Sequence, residues 1–221
     1  MQRGRGSFFW VGLIAHLRQD SLCNAMNDSP APRRALCAHC QRPVRGCLCG
    51  WITPTVNCVP LCVLQHPLEH GHAKGSLPLL RLSLSQCTVE IAEVFNAEQQ
   101  ARWQQPGTWL LYPGDATADV APGPSPGSVL QLVLLDGSWR KTRKLLHLNP
   151  TLQQLPRFAL TAPPSSRYGI RKAQQPDQRS TLEAACLALA ALEQRPAHYE
   201  PLLQAFSNWV QAQAVHGSVR P

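Results

Sequence analysis

The pattern of apolar and polar positions changes most abruptly over residues 132–148, LVLLDGSWRKTRKLLHL. Residues 132–135 are an unbroken run of branched apolar side chains, the pattern of a strand buried on both faces. The run breaks at Asp136-Gly137-Ser138-Trp139, and apolar positions resume at roughly helical spacing with Trp139, Thr142, Leu145 and Leu146. Strand, polar turn, helix is the layout by which α/β proteins place ligands at the carboxyl end of a parallel strand. A carboxylate on that turn, with an indole following it, makes the turn a candidate site. The plainer alternative has Asp136 or Ser138 capping the helix and Trp139 in the core.

The same reading extends along the chain. Residues 58–64 (CVPLCVL) predict the first buried strand, with Cys58 and Cys62 as small core residues. Residues 77–84 predict a short helix that Ser76 can cap. Residues 88–95 alternate as a strand does, and 109–112 (WLLY) form a better one, ending at Pro113-Gly114-Asp115-Ala116. Residues 118–128, rich in Pro and Gly, read as a surface loop, and 156–160 as another short strand. Ser180-x-x-Glu183 is a capping box opening a helix that runs to about Glu193. The amino-terminal N–H groups of that helix are expected to face the site, where they suit a carboxylate. A last helix covers 199–214, with Trp209 in the core. Strands alternating with helices predict an α/β domain with a mainly parallel sheet.

Composition adds partners and a metal. The chain has 221 residues, room for one good-sized core and a small satellite module. Its 21 Lys and Arg against 13 Asp and Glu give +8, which points to a polyanion, nucleic acid before membrane, unless the surface is merely basic. No window approaches transmembrane length, so no membrane partner is expected. The nine cysteines are odd in number and clustered, which argues for a reduced, cytoplasmic setting and a metal site over a disulfide scaffold. Cys37, Cys40, Cys47 and Cys49 fall within 13 residues as Cys-x-x-Cys and Cys-x-Cys, a set able to close a tetrahedral shell of thiolates. Soft thiolates in that geometry favour zinc, in a structural role, over an iron–sulfur cluster or free thiols. His39 inside the knuckle is expected to face solvent, and Arg33, Arg34, Arg42 and Arg45 around it to meet RNA phosphates or water.

Arg140, Lys141, Arg143 and Lys144 crowd the helix after the candidate turn, and at least two must flank the site mouth, where an RNA backbone could pass. No Walker loop or Gly-x-Gly-x-x-Gly is present, which disfavours ATP and nicotinamide cofactors. Met1-Gln2-Arg3-Gly4-Arg5 and the apolar stretch after it imitate a signal peptide, but Met26 is a plausible start. Residues 1–34 are therefore expected to be an irregular extension, 35–56 a zinc knuckle and 57–215 the catalytic domain.

Asp136-Gly137-Ser138-Trp139, with the basic helix and Asn149-Pro150 after it, resembles the signature of the DTW-domain family, usually Asp-Gly-Thr-Trp. Ser138 keeps the hydroxyl of the usual threonine. His66-Pro67-Leu68-Glu69 is similar to the family's His-Pro-x-Glu element. Tyr168-Gly169-Ile170-Arg171-Lys172, then Ser180-Thr181-Leu182-Glu183-Ala184, resembles its Tyr-x-Ile-Arg-Lys and Ser-Thr-Leu-Glu-Ala elements. Pro113-Gly114 resembles its strand-then-proline loop, a wall of the donor pocket. The cysteine cluster is one that many bacterial members carry. Gly75-Ser76 departs from the usual Asn-Thr, which removes whatever contact that asparagine makes. The likeness runs over about residues 35–212.

The resemblance implies a SPOUT-like, methyltransferase-related fold, of a kind that includes trefoil-knotted chains. It also implies an enzyme that moves the aminocarboxypropyl group of S-adenosylmethionine to N3 of a uridine in tRNA, with the variable loop as the leaning. Asp136 is then the base at N3, and Ser138 and Trp139 shape the pocket. His66, Glu69, Pro113, Gly114, Arg171, Ser180, Thr181 and Glu183 are the donor-site candidates, Arg171 because a guanidinium takes a carboxylate in bidentate fashion. Two rivals are an RNA methyltransferase using the same donor and a non-catalytic zinc-bearing RNA-binding module. The sequence leaves the oligomeric state open, a monomer being the simpler expectation.

Overall fold

Two apolar runs supply the centre of the sheet. The computed structural model describes residues 35–72, 75–113, 124, 125, 127–160 and 179–218, with side chains through Gln213. Five strands pair in parallel throughout: β1 (Leu61–Gln65), β2 (Cys87–Ile91), β3 (Thr108–Leu111), β4 (Gln131–Asp136) and β5 (Arg157–Phe158). Their order is β2-β1-β4-β3-β5. The helices are α1 (Leu77–Ser83), α2 (Ala97–Trp103), α3 (Trp139–Leu148), α4 (Pro150–Gln153), α5 (Thr181–Leu192) and α6 (Glu200–Ser218).

Strand side chains alternate between faces, and both faces are covered. Leu61 and Val63 of β1, with Leu132 and Leu134 of β4, pack in one cluster with residues of α1, α5 and α6. Cys62, Leu64, Val133 and Leu135 pack on the other side with Phe95, Trp103, Leu145 and Leu146. That is why the central runs are continuously apolar. In register, Gln65 stands beside Asp136, so the carboxyl ends of the two central strands lie side by side. The knuckle shares this core: Cys40 and Leu48 are buried in the cluster with α5 and α6, and the Arg42 guanidinium lies 5.6 Å over the Trp209 ring.

Three expectations need correction. β1 begins at Leu61, because Pro60 has no N–H for the ladder and offers only its carbonyl, to Leu132. Cys58 therefore falls outside the strand and is exposed, whereas Cys62 is a core thiol whose burial pushes it up to about 11. β2 stops at Ile91, since residues 92–95 turn away to bring the Phe95 N–H to Asn149. Ser76 does not cap α1; its backbone is already helical, and its hydroxyl accepts from the Leu182 N–H at 3.4 Å. Trp139 is 42% exposed, which sets aside the plainer alternative that placed it in the core. Helix α2, unforeseen, announces itself by a capping box in which Asn96 and Gln99 bond reciprocally. Trp209 is fully buried, as expected. Among the described residues no helix is long and apolar enough to cross a membrane.

Gly107, between α2 and β3, has φ +80°, and a Cβ there would sit 2.8 Å from Leu130 Cγ. Gly107→Ala combines backbone strain with a clash and is expected to cost about 2 kcal/mol. Urea unfolding reads this directly, and an unchanged midpoint would contradict the conformation.

Candidate active site and metal centre

Asp136 ends β4, Gly137 follows, and Ser138 takes the N-cap position of α3 with extended backbone but no side-chain cap bond. Gly137 sits in close quarters, since a Cβ there would lie 3.1 Å from Lys141 Cβ, a contact that the start of α3 would have to yield to by a few tenths of an ångström. Neither Asp136 nor Ser138 caps the helix. Instead, Asp136 Oδ2 accepts from Gln65 Nε2 at 2.8 Å, and Oδ1 accepts from the Thr181 hydroxyl. The carboxylate is thus gripped from β1 and from the first residue of α5, and each oxygen keeps a further lone pair.

The α5 terminus is tightly closed. Ser180 Oγ accepts from the Glu183 N–H at 3.1 Å, and Glu183 Oε2 accepts from the Ser180 N–H at 3.1 Å. Both side chains are buried, and the Leu182 N–H is spent on Ser76. Thr181, directly after Ser180, is the residue of this terminus that bonds Asp136. The helix end does face the site, but its second and third donors are used within the protein.

His66 is 2% exposed. Its Nδ1 accepts from the Leu68 N–H at 3.2 Å, which puts the ring proton on Nε2, 2.9 Å from Glu93 Oε1. Glu69 Oε1 accepts from Lys141 Nζ at 2.9 Å and from the Ser138 N–H at 3.3 Å. Both residues of the His-Pro-x-Glu element are thereby tied to the site's scaffold. Lys144 Nζ lies 2.5 Å from Glu93 Oε2, and this bond holds the Glu93 carboxyl below the usual carboxylate range against the effect of partial burial.

Tyr112, just past β3, meets Trp139 edge to face at 5.7 Å, and the Arg157 guanidinium lies 5.6 Å over the Tyr112 ring. The residue after β3, the first residue of α3 and the first residue of β5 thus build an aromatic shelf with one solvent-facing indole. Pro113, beside it, is exposed. Gly114 and Arg171 lie outside the described residues. Of the four α3 cations, Lys141 and Lys144 are engaged by Glu69 and Glu93, while Arg140 and Arg143 point outward from the same helix.

The four knuckle sulfurs lie within 4.8 Å of one another. Cys37 and Cys49 Sγ are 3.6 Å apart, and Cys40 and Cys47 Sγ 3.7 Å. A zinc tetrathiolate with 2.3 Å bonds has sulfurs about 3.8 Å apart, so the set fits the ion. The Leu48 N–H points at Cys40 Sγ and the Cys49 N–H at Cys47 Sγ, both at 3.5 Å. Backbone N–H groups of Cys40 and His39 draw the Cys37 thiol down to about 6. Bonding to Cys47, then burial, pushes Cys49 up to about 12. A cation among the four sulfurs would let all of them bind as thiolates despite the upward push on Cys49. His39 is exposed, outside the shell.

Gln65, Glu93, Tyr112 and Arg157 join the site without having been named as site residues from the sequence, as does Asn149, which the sequence marked only through the Asn-Pro after the basic helix. Gln65 had one visible signal, a polar residue closing an apolar strand directly before His66.

The DTW domain profile matches residues 34–214. The tRNA-uridine aminocarboxypropyltransferase 2 of Macaca fascicularis is 32% identical over 201 residues, 86% of this chain and 67% of the relative. That of Mus musculus is 31% identical over 200 residues, 85% and 66% of the two chains. That of Drosophila melanogaster is 30% identical over 203 residues, 88% and 81%. The chain spans about two thirds of the length of the two mammalian relatives. No solved structure matches it with significance.

Proposed function

The chain belongs to the DTW-domain family, and from that footing we propose that it transfers the 3-amino-3-carboxypropyl group of S-adenosylmethionine to N3 of a tRNA uridine. The observation that carries the reading is Asp136, held by Gln65 and Thr181 at the carboxyl ends of the two central strands, three residues before the solvent-facing Trp139. A buttressed carboxylate next to an exposed indole suits a planar base with a weakly acidic N–H. A spare lone pair of Asp136 takes the N3 proton. The freed nitrogen pair forms the bond to Cγ of the donor, and the Cγ–S pair returns to sulfur, releasing 5′-methylthioadenosine. Trp139, steadied by Tyr112, stacks on the uracil and holds N3 in line. Thr181 and Pro113 border the donor's amino-acid end, a role that the family resemblance extends to Gly114 and Arg171, while Ser180 and Glu183 keep the α5 terminus in place. The knuckle carries one structural zinc. A SPOUT-like fold is supported by strand order, because β4 inserts between β1 and β3 after both have been laid down.

Transfer RNA is the substrate that the basic balance suits. Arg140→Ala and Arg143→Ala are each expected to lower the slope of log K against log salt by about 1, the value of one phosphate contact. Lys141→Ala and Lys144→Ala should change it less, since those ammonium groups are engaged within the protein. Equal effects at all four positions would contradict this division.

The reading is tested with donor labelled at either end. Carboxyl-labelled S-adenosylmethionine should pass its label to tRNA and methyl-labelled donor should not. The reverse result would make the protein a methyltransferase, and no transfer from either would leave the binding-module reading.

A further inference from the structure

We propose that Glu93 is a positioning residue for the reaction: it orients the His66 ring, and through the loop that the ring pins it fixes the Gly137–Ser138 turn beside Asp136. The proposal rests on the transfer reading for its kinetic arm alone. Glu93 lies on the connection between β2 and α2, where no motif marks it.

Its place is set by Asn149, which is fully buried. Asn149 Oδ1 accepts from the Phe95 N–H at 3.0 Å, and its Nδ2 donates to the Glu93 carbonyl at 2.9 Å and the Leu145 carbonyl at 2.8 Å. One satisfied amide thus anchors residues 93–95 to the end of α3. From there the Glu93 carboxylate receives His66 Nε2–H, and the opposite ring nitrogen takes the Leu68 N–H. A ring buried and occupied at both nitrogens has no atom left for substrate. What it can do is hold the loop after β1. That loop delivers Glu69, whose Oε1 receives the Ser138 N–H and Lys141 Nζ. The loops after β2, β1 and β4 are therefore joined in series, ending at Ser138, next to Gly137 and two residues from the proposed base. Glycine removes side-chain restraint from that turn, so its position depends on outside contacts such as this one.

The test uses the full chain with Glu93→Ala and Glu93→Gln. Amide hydrogen exchange is followed at Leu68, Ser138 and, as a control within the sheet, Leu110, which donates to Pro156. Glu93→Ala should speed exchange at Leu68 and Ser138 about fivefold and leave Leu110 protected. It should also lower kcat about tenfold or more with the donor KM little changed. Glu93→Gln should restore both, because its amide oxygen still accepts His66 Nε2–H. Unchanged exchange at Leu68 and Ser138 in the alanine variant would overturn the proposal. So would acceleration shared equally by Leu110, or a glutamine variant as impaired as the alanine one. If the wild type transfers nothing, the exchange results still decide the positioning claim.

Discussion

Asp136→Asn is expected to slow transfer by about 10²–10⁴-fold, the usual worth of a positioned acid–base group, with donor and tRNA binding close to wild type. The substitution is well suited to separate chemistry from folding. Asparagine can keep its oxygen on Gln65 Nε2, and its amide can donate to the Thr181 hydroxyl, which turns to accept. Both neighbours remain bonded, so thermal stability should move little. What is lost is the negative charge and the lone pair proposed to receive the N3 proton. In the terms of mutant kinetics, kcat and kcat/KM should fall together. Turnover within threefold or so of wild type would remove Asp136 as the base and leave it as a strut between β1, β4 and α5.

Cys40→Ser should have the second largest effect, on the fold rather than the chemistry. Cys40 is 8% exposed, contributes a sulfur to the shell and lies in the cluster with α5 and α6. A hydroxyl is a poor substitute for a thiolate in a zinc shell, and apparent binding energies of structural zinc, about 10–16 kcal/mol, rival the whole stability of a domain. Even a loss of about 4 kcal/mol lowers Tm by about 10 °C in a chain of this size. Metal analysis of the purified wild type should find one zinc per chain, and the variant should bind far less and melt early. Full zinc content with an unchanged Tm would contradict a structural metal. Because Cys40 and Leu48 sit in the main core, the instability should reach α6 and not stay within residues 35–56.

What the sequence showed and hid divides along physical lines. The β4–turn–α3 unit, the cysteine spacing and the α5 capping box were legible because each is carried by neighbours in the chain. Trp139 was ambiguous for a local reason: periodicity sets it on the stripe of Thr142 and Leu145, but as the first residue of α3 it projects past the strand ends. Cys58 was misplaced because apolar character continued through Pro60, where hydrogen bonding could not. The contacts of Gln65 and Thr181 with Asp136, and of Arg157 with Tyr112, depend on which strands and helix are neighbours in space. No periodicity encodes the insertion of β4 between β1 and β3, so these pairings, as distinct from the residues themselves, had no local signal. Glu93 is the extreme case. Its role follows from Asn149, a buried amide that the chain meets 56 residues later.

The central claim is tested most directly by incubating unmodified tRNA with the protein and S-adenosylmethionine, then analysing its nucleosides by mass spectrometry. The account predicts a uridine heavier by one aminocarboxypropyl group, with 5′-methylthioadenosine released in equal amount. A methylated nucleoside accompanied by S-adenosylhomocysteine, or unaltered tRNA from folded, zinc-loaded protein, would contradict it.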